Sequence, residues 1–184
     1  MIFIKTDRLV IRNFVPGDWR GLQEVIIDKE SSDYAAYDYS FPSSDNAVQE
    51  ITGKFAQSDD FLAVCEQSSQ KVIGYIAVNV EDTETRNLGY ALHSAYHQQG
   101  YAGEACIAVI NYAFRKLGVE KFTSGTANLN HPAYNLLVKL GFQKTGEAVT
   151  SFRAAPDGKP VEFIGSSFLL EKSEWLKQDY AGLT

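Results

Sequence analysis

His97-Gln98-Gln99-Gly100-Tyr101-Ala102-Gly103-Glu104-Ala105 sets two glycines and two alanines where a strand-like run ends and a helical pattern begins. Side chains are stripped from such a point so that backbone can turn sharply, or so that a ligand can come close to backbone N–H groups. Both glycine-based phosphate motifs, G-x-x-x-x-G-K-[ST] and G-x-G-x-x-G, are absent. What remains is a bare loop feeding a helix. The first N–H groups of a helix lack internal partners, and the helix dipole favours negative charge there. A pyrophosphate can rest on them without a lysine. A plain tight turn that packs a helix on a sheet fits the same residues. The neighbouring sequence must decide between the two.

The 184 residues are 45% hydrophobic and 22% charged, which fits one globular domain over residues 1–184 with a sizeable core. A formal net charge of −6 argues against a nucleic-acid partner held by a broad basic surface. No apolar run approaches the roughly 20 residues of a membrane span. The start, Met1-Ile2-Phe3-Ile4-Lys5-Thr6-Asp7-Arg8, lacks the pattern of a signal peptide. Cys65 and Cys106 are isolated and read as small core residues of a reduced protein. The expectation is a cytoplasmic protein without membrane attachment.

Ile2 to Phe14 is strand-like, and Pro16-Gly17-Asp18 offers a turn and an N-cap for a helix from Trp19 to about Ile27. Ser31 to Phe41 reads as a loop with four aromatics, and Ser43-Ser44-Asp45 can cap a helix through Phe55. Strand-like runs follow at Phe61–Glu66, Lys71–Val80 and Arg86–Leu92. Beyond the opening stretch, Cys106, Val109, Ile110, Ala113 and Leu117 recur at helical spacing, and Gly118 suits the C′ position. Lys121–Thr126 reads as a strand, Pro132 to Leu140 as a short helix, and Phe142–Arg153 and Val161–Leu170 as strands around a Pro156-Asp157-Gly158 turn.

One strand beyond the glycine loop stands Asn130-His131-Pro132-Ala133-Tyr134-Asn135-Leu136-Leu137-Val138-Lys139-Leu140-Gly141-Phe142. With Thr6-Asp7-Arg8-Leu9-Val10-Ile11-Arg12, Leu88-Gly89-Tyr90, Asp157-Gly158-Lys159 and Glu171 to Trp175, it forms an ordered set across nearly the whole chain. The set resembles the GNAT N-acetyltransferases, in particular the RimJ/RimL type. The resemblance implies an α/β (α+β) fold with a central, splayed, mostly antiparallel sheet of about six or seven strands flanked by helices. It implies acetyl-CoA as co-substrate, entering the splay. By position, the backbone of Leu92, His93 and Ser94 would pair with the pantetheine arm. The N–H groups of Gln98, Gln99, Gly100, Tyr101, Ala102 and Gly103 would hold the pyrophosphate. Asn130 would reach the pantetheine and cap the following helix, a role its side chain suits.

Acyl transfer to an amine needs a neutral nucleophile, stabilisation of the carbonyl oxygen and a proton for the leaving thiolate. The chain departs from the family where side chains serve these needs. Leu137 stands where many members carry an acidic tyrosine, Ala133 replaces a common serine, Asn87 a common glutamate, and His97 the motif's Arg or Gln. Tyr134 shares a helix face with Asn130 and Leu137 and offers a substitute acid, or else a half-buried packing ring. Glu81, Asp82 and Glu84 are candidates for the base, or solvated turn carboxylates. His93 and His97 have no third ligand, so no metal is expected.

For the acceptor, Tyr37 and Asp38 stand out within Ser31–Phe41, since acids and ring faces attract a cationic amine. The same rings also suit a loop packed on the core. The reading is an acetyl-CoA-dependent N-acetyltransferase, monomeric or homodimeric, acting on a small amine or a protein N-terminus. The alternative, favoured by Ala133, Leu137 and Asn87, is an acyl-CoA-binding sensor without turnover.

Overall fold

The strand-like run at the start does not remain one strand. Phe3–Lys5 (β1) and Leu9–Asn13 (β2) fold back on each other with Phe3 opposite Arg12. Thr6 makes the turn: its N–H reaches Leu9 O and its Oγ1 accepts the Leu9 N–H, both at 3.0 Å. The computed structural model describes residues 1–178 and 180. It contains Phe61–Glu66 (β3), Val72–Val80 (β4), Thr85–Leu92 (β5), Lys121–Ala127 (β6), Gln143–Thr150 (β7) and Phe163–Glu171 (β8). They form one eight-stranded sheet in the order β1-β2-β3-β4-β5-β6-β8-β7. The expected six or seven strands become eight because Thr6 breaks the first run in two.

Helices cover both faces. Trp19–Glu30 (α1) and Asp45–Phe55 (α2) lie on one, and Tyr101–Lys116 (α3) lies on the other; His131–Lys139 (α4) and Lys172–Trp175 (α5) pack with α3. Strand alternation assigns the residues to the faces. Leu9, Ile11, Leu62, Val64 and Leu88 meet Cys106, Val109, Ile110 and Ala113 of α3. The interleaved Val10, Ala63 and Cys65 meet Leu22, Val25 and Ile26 of α1. Each large apolar side chain removed from water here contributes roughly 1.5–3 kcal/mol. Asp18 stands at the N-cap of α1, as expected, but makes no side-chain cap bond there; its carboxylate clamps Arg12 at 2.7 and 2.9 Å and accepts the Val15 N–H. A 3-10 turn over Pro16–Asp18 leads into the helix.

One pairing positions the site. All neighbouring strands run antiparallel except β5 and β6. These two share only the registers Thr85↔Lys121, Arg86↔Phe122 and Asn87↔Thr123. β4 holds β5 as far as Leu92, and β8 holds β6 as far as Ala127. Both strands are thus fixed from outside while their inner edges part. Ser124 ends the contact by donating its hydroxyl to Leu88 O at 2.8 Å.

Candidate active site

The parted strands expose backbone polarity that folding ordinarily consumes. In an antiparallel pair alternate residues turn their N–H and C=O groups to opposite sides. His93 N–H bonds Ile73 O on the β4 side, whereas Leu88 O points to β6. Tyr90 and Leu92 therefore turn their backbone groups into the gap. Leu92 O is taken by the His97 ring, whose Nε2 lies 2.8 Å away. Ser94 is engaged as well, its N–H and hydroxyl both donating to the Asp28 carboxylate at 2.8 and 2.5 Å. Of the three residues expected to pair with a pantetheine arm, only Leu92 keeps a free backbone group, its N–H. Tyr90, which sequence reasoning left out, contributes both of its own. Its hydroxyl is buried without a hydrogen-bond partner among the described residues.

At the mouth of the gap the loop winds through left-handed conformations at Gln98 (φ 58°) and Gly100 (φ 83°). Alternating handedness turns successive N–H groups toward one side, the geometry of an anion-binding nest. Gly100 is the N-cap of α3 and supplies no side-chain cap. Among the described residues, no backbone turn, loop or cap hydrogen bond uses the N–H groups of Gln98 through Gly103. A Cβ on Gly103 would meet nothing closer than Leu136 Cδ1 at 3.7 Å. These free donors, the unpaired β5 edge and the orphaned Tyr90 hydroxyl fit an extended ligand with an anionic end.

Arg8 braces this loop, a role its place in the sequence did not reveal. Its guanidinium donates to Gln99 O at 2.9 Å and to Glu104 at 2.7 Å, and its Cζ lies 4.1 Å from the centre of the Tyr101 ring. Burial by itself would raise the Glu104 pKa, but hydrogen bonds from Thr6 and Arg8 outweigh it and hold the carboxyl below its ordinary value. Arg8 thereby neutralises the one acidic residue in the first turn of α3.

Across the gap, Asn130 caps α4 by accepting the Ala133 N–H at 3.3 Å. Leu137 is buried, so the position of the family's acid is core. Tyr134 packs edge-on against Phe168, with ring centres 5.2 Å apart, and its hydroxyl bonds to no described residue. Asn87 donates to Thr123 Oγ1 at 3.0 Å and locks the last rung before the strands part.

Tyr37 and Asp38 lie apart from the anion loop, on the face that carries α1. Tyr37 packs on Phe163 at 5.3 Å. The Asp38 carboxylate is paired with Lys29 at 2.8 Å and accepts the Tyr39 N–H. Arg153 ties the loop down, donating to Asp38 O at 2.6 Å and forming a two-pronged bridge to Glu30 at 2.7 and 2.9 Å. That bridge is the main cause holding the Glu30 pKa below its ordinary value.

Comparison with known proteins agrees with this geometry. Residues 8–143 match the acetyltransferase (GNAT) domain family. Over 143 residues the chain is 23% identical to YnaD, an uncharacterised N-acetyltransferase of Bacillus subtilis (strain 168), covering 78% of this chain and 84% of that protein. It is 28% identical over 109 residues to YokL, a prophage-derived uncharacterised N-acetyltransferase of the same strain. That match spans 58% of this chain and 62% of the relative, so about three fifths of the relative's length is covered. The fold superposes on a ribosomal-protein-S5-alanine acetyltransferase of Vibrio fischeri with a TM-score of 0.78 and 14% identity, covering 95% of this chain and 99% of the other. A splayed sheet with a bare helix start at its mouth is the frame of an acetyltransferase, and this chain belongs to the GNAT family.

Proposed function

We propose that this enzyme transfers an acetyl group from acetyl-CoA directly to a primary amine, either a small molecule or a protein N-terminus. The observation that carries the reading is the parting of β5 from β6 after Asn87↔Thr123, which leaves backbone donors of Tyr90 and Leu92 unpaired beside an uncapped α3. Gln98, Gln99, Gly100, Tyr101, Ala102 and Gly103 receive the pyrophosphate on their N–H groups, with Arg8 holding the loop in shape. His97 and Asp28 fix the end of β5, so that Leu92 N–H and Tyr90 meet the pantetheine arm; His93 and Ser94 shape the bend beyond. Asn130 keeps its amide N–H groups free for the same arm while its oxygen caps α4. The motif order from Thr6 to Trp175 supports the RimJ/RimL subtype, and the free, buried Cys65 and Cys106 support a reduced, cytoplasmic setting.

Acetyl-CoA supplies the activated acyl group. Strand N–H groups facing the gap meet the carbonyl oxygen as its charge grows, a task that needs no particular side chain. Tyr134, with an unengaged hydroxyl on α4, is assigned the proton that the departing thiolate takes. Tyr37 and Asp38 wall the acceptor's approach, Tyr37 by its ring and Asp38 by pinning the loop through Lys29. Release of free thiol from acetyl-CoA across a broad panel of amines and N-terminal peptides tests the proposal. Thiol release dependent on an amine is the expected result, and a panel without any turnover overturns it.

A further inference from the structure

The acids of the turn before β5 are alike in sequence and unlike in place. Asp82 is spent on the backbone: its Oδ1 accepts the N–H groups of Glu84 and Thr85 at 2.8 and 2.7 Å, and those bonds hold its pKa below the ordinary value. Glu81 lines a hollow of about 530 Å³ together with Asn87, Thr123, Ser124, Gly125 and Ser167. Phe122 and Phe168 of β6 and β8 face α3, so alternation puts Thr123, Gly125 and Ser167 on the opposite face of the sheet. The Asn87–Thr123 rung at the base of the cleft forms part of its floor. Phe163, Gly165, Ser167 and Leu169 share that face of β8, which therefore links the Tyr37 ring to the hollow.

The lining is rich in hydroxyl groups, with the Asn87 amide, and contains no Lys, Arg or His among the described residues. The Glu81 N–H bonds Thr85 O at 3.1 Å, but its carboxylate has no hydrogen bond or ion pair to any described residue. We infer that this hollow seats the acceptor and that the acceptor carries a second, non-reacting cationic group, which Glu81 holds. The inference rests on the acetyl-transfer reading above. The reacting nitrogen must shed its charge before it attacks, whereas a carboxylate stabilises the charged form of a neighbouring amine. Glu81 therefore suits the amine that stays protonated. A carboxylate-bearing acceptor finds no cation in the hollow and meets Glu81 as a like charge. The hydroxyl lining, Thr123 and Ser167 among it, offers hydrogen bonds to both ends of a short polar chain.

Three probes of similar length separate the possibilities: 1,4-diaminobutane, 4-aminobutan-1-ol and 4-aminobutanoate. The wild-type enzyme is expected to favour the diamine over the amino alcohol about fivefold in kcat/KM, the scale of one solvent-exposed charge pair, and to use the amino acid least. In Glu81→Gln the ratio of diamine to amino alcohol is expected to fall toward one, whereas a merely structural defect lowers both and leaves the ratio. Calorimetry with CoA present reads the same ratio as affinities, independent of turnover. A wild-type enzyme without the diamine preference, or a preference untouched by Glu81→Gln in both measurements, overturns the assignment. Loss of turnover on every amine, with the affinity ratio intact, instead removes the acetyl-transfer reading and leaves the binding assignment standing.

Discussion

The mouth of the cleft and the proposed acceptor end are made from different materials. At the mouth, the donors are backbone N–H groups of residues 98–103, held by two left-handed residues and by Arg8 on Gln99 O. At the acceptor end, the surfaces are side chains: Tyr37 on Phe163, Tyr39 on Phe152 at 4.4 Å, and Arg153 on Glu30. A backbone site tolerates many substitutions so long as bulk stays away and the turn keeps its handedness. A site of side chains changes its ligand with each replacement.

That contrast breaks most sharply at Gly103. Gly103→Val adds bulk over the N–H groups at a helical position free of close contacts. Acetyl-CoA affinity is expected to fall on the order of a hundredfold, the loss of two charge-assisted hydrogen bonds, with thermal stability little changed. Gly100→Val is a poorer probe, because φ of 83° strains any β-branched residue and its Cβ would stand 3.3 Å from Arg8 Nη2. Unaltered affinity in a folded Gly103→Val protein, read by calorimetry, would place the cofactor elsewhere.

Tyr134→Phe tests a side chain between the two ends. Deleting only the hydroxyl is expected to lower kcat about a hundredfold while leaving KM for acetyl-CoA in place, the scale of lost general-acid catalysis. A wild-type kcat across the pH range returns Tyr134 to packing on Phe168.

Arg8→Ala leaves Gln99 O and Glu104 without their brace and is expected to weaken acetyl-CoA binding roughly tenfold, with partial rescue by lysine. Equal affinity in wild type and Arg8→Ala would mean the loop holds its shape unaided. At the other end, Tyr37→Ala and Asp38→Asn are expected to raise the acceptor KM about threefold to fivefold, the scale of a single exposed contact. Both should spare acetyl-CoA affinity. If steady-state kinetics show the reverse, the aromatic loop serves the cofactor.

The smallest effect is shared by both ends. Glu104 is held below the ordinary glutamate value of 4.5 by Thr6 and Arg8 against its burial, and Glu30 is held below it by Arg153. Each contributes stability that is present above that value and lost as pH falls through the depressed one. Thermal unfolding followed from neutral pH downward should therefore show stability declining below about pH 4.5, and Arg153→Met should shallow that decline. An identical acid profile in the variant would show that the bridge to Glu30 adds nothing.

Much of this architecture is legible without coordinates. Cys106, Val109, Ile110 and Ala113 recur at helical spacing, and they fall within the observed helix Tyr101–Lys116. Gly118 has the left-handed φ of 68° that its C′ position demands. The split of the first strand was not legible, because Thr6 makes its turn through a side-chain bond to Leu9 that no periodicity records. Arg8 lies in the Thr6–Arg12 motif and its partner Glu104 in the first turn of α3, and nothing in one sequence pairs residues so far apart.

The sequence by itself determined where side chains are withheld, most of the helix and strand segments, and which family side chains are missing: Leu137, Ala133, Asn87 and His97 stand in their places. Those are local properties, set by glycine's freedom, apolar period and residue identity. Only the tertiary structure decided that β5 and β6 part after Asn87, that His97 turns inward to Leu92 O, and that Glu81 rather than Asp82 faces the hollow at the cleft's base. Each of these depends on which chain segment lies alongside another, and hydrogen bonds between distant residues settle that only when the sheet closes around them.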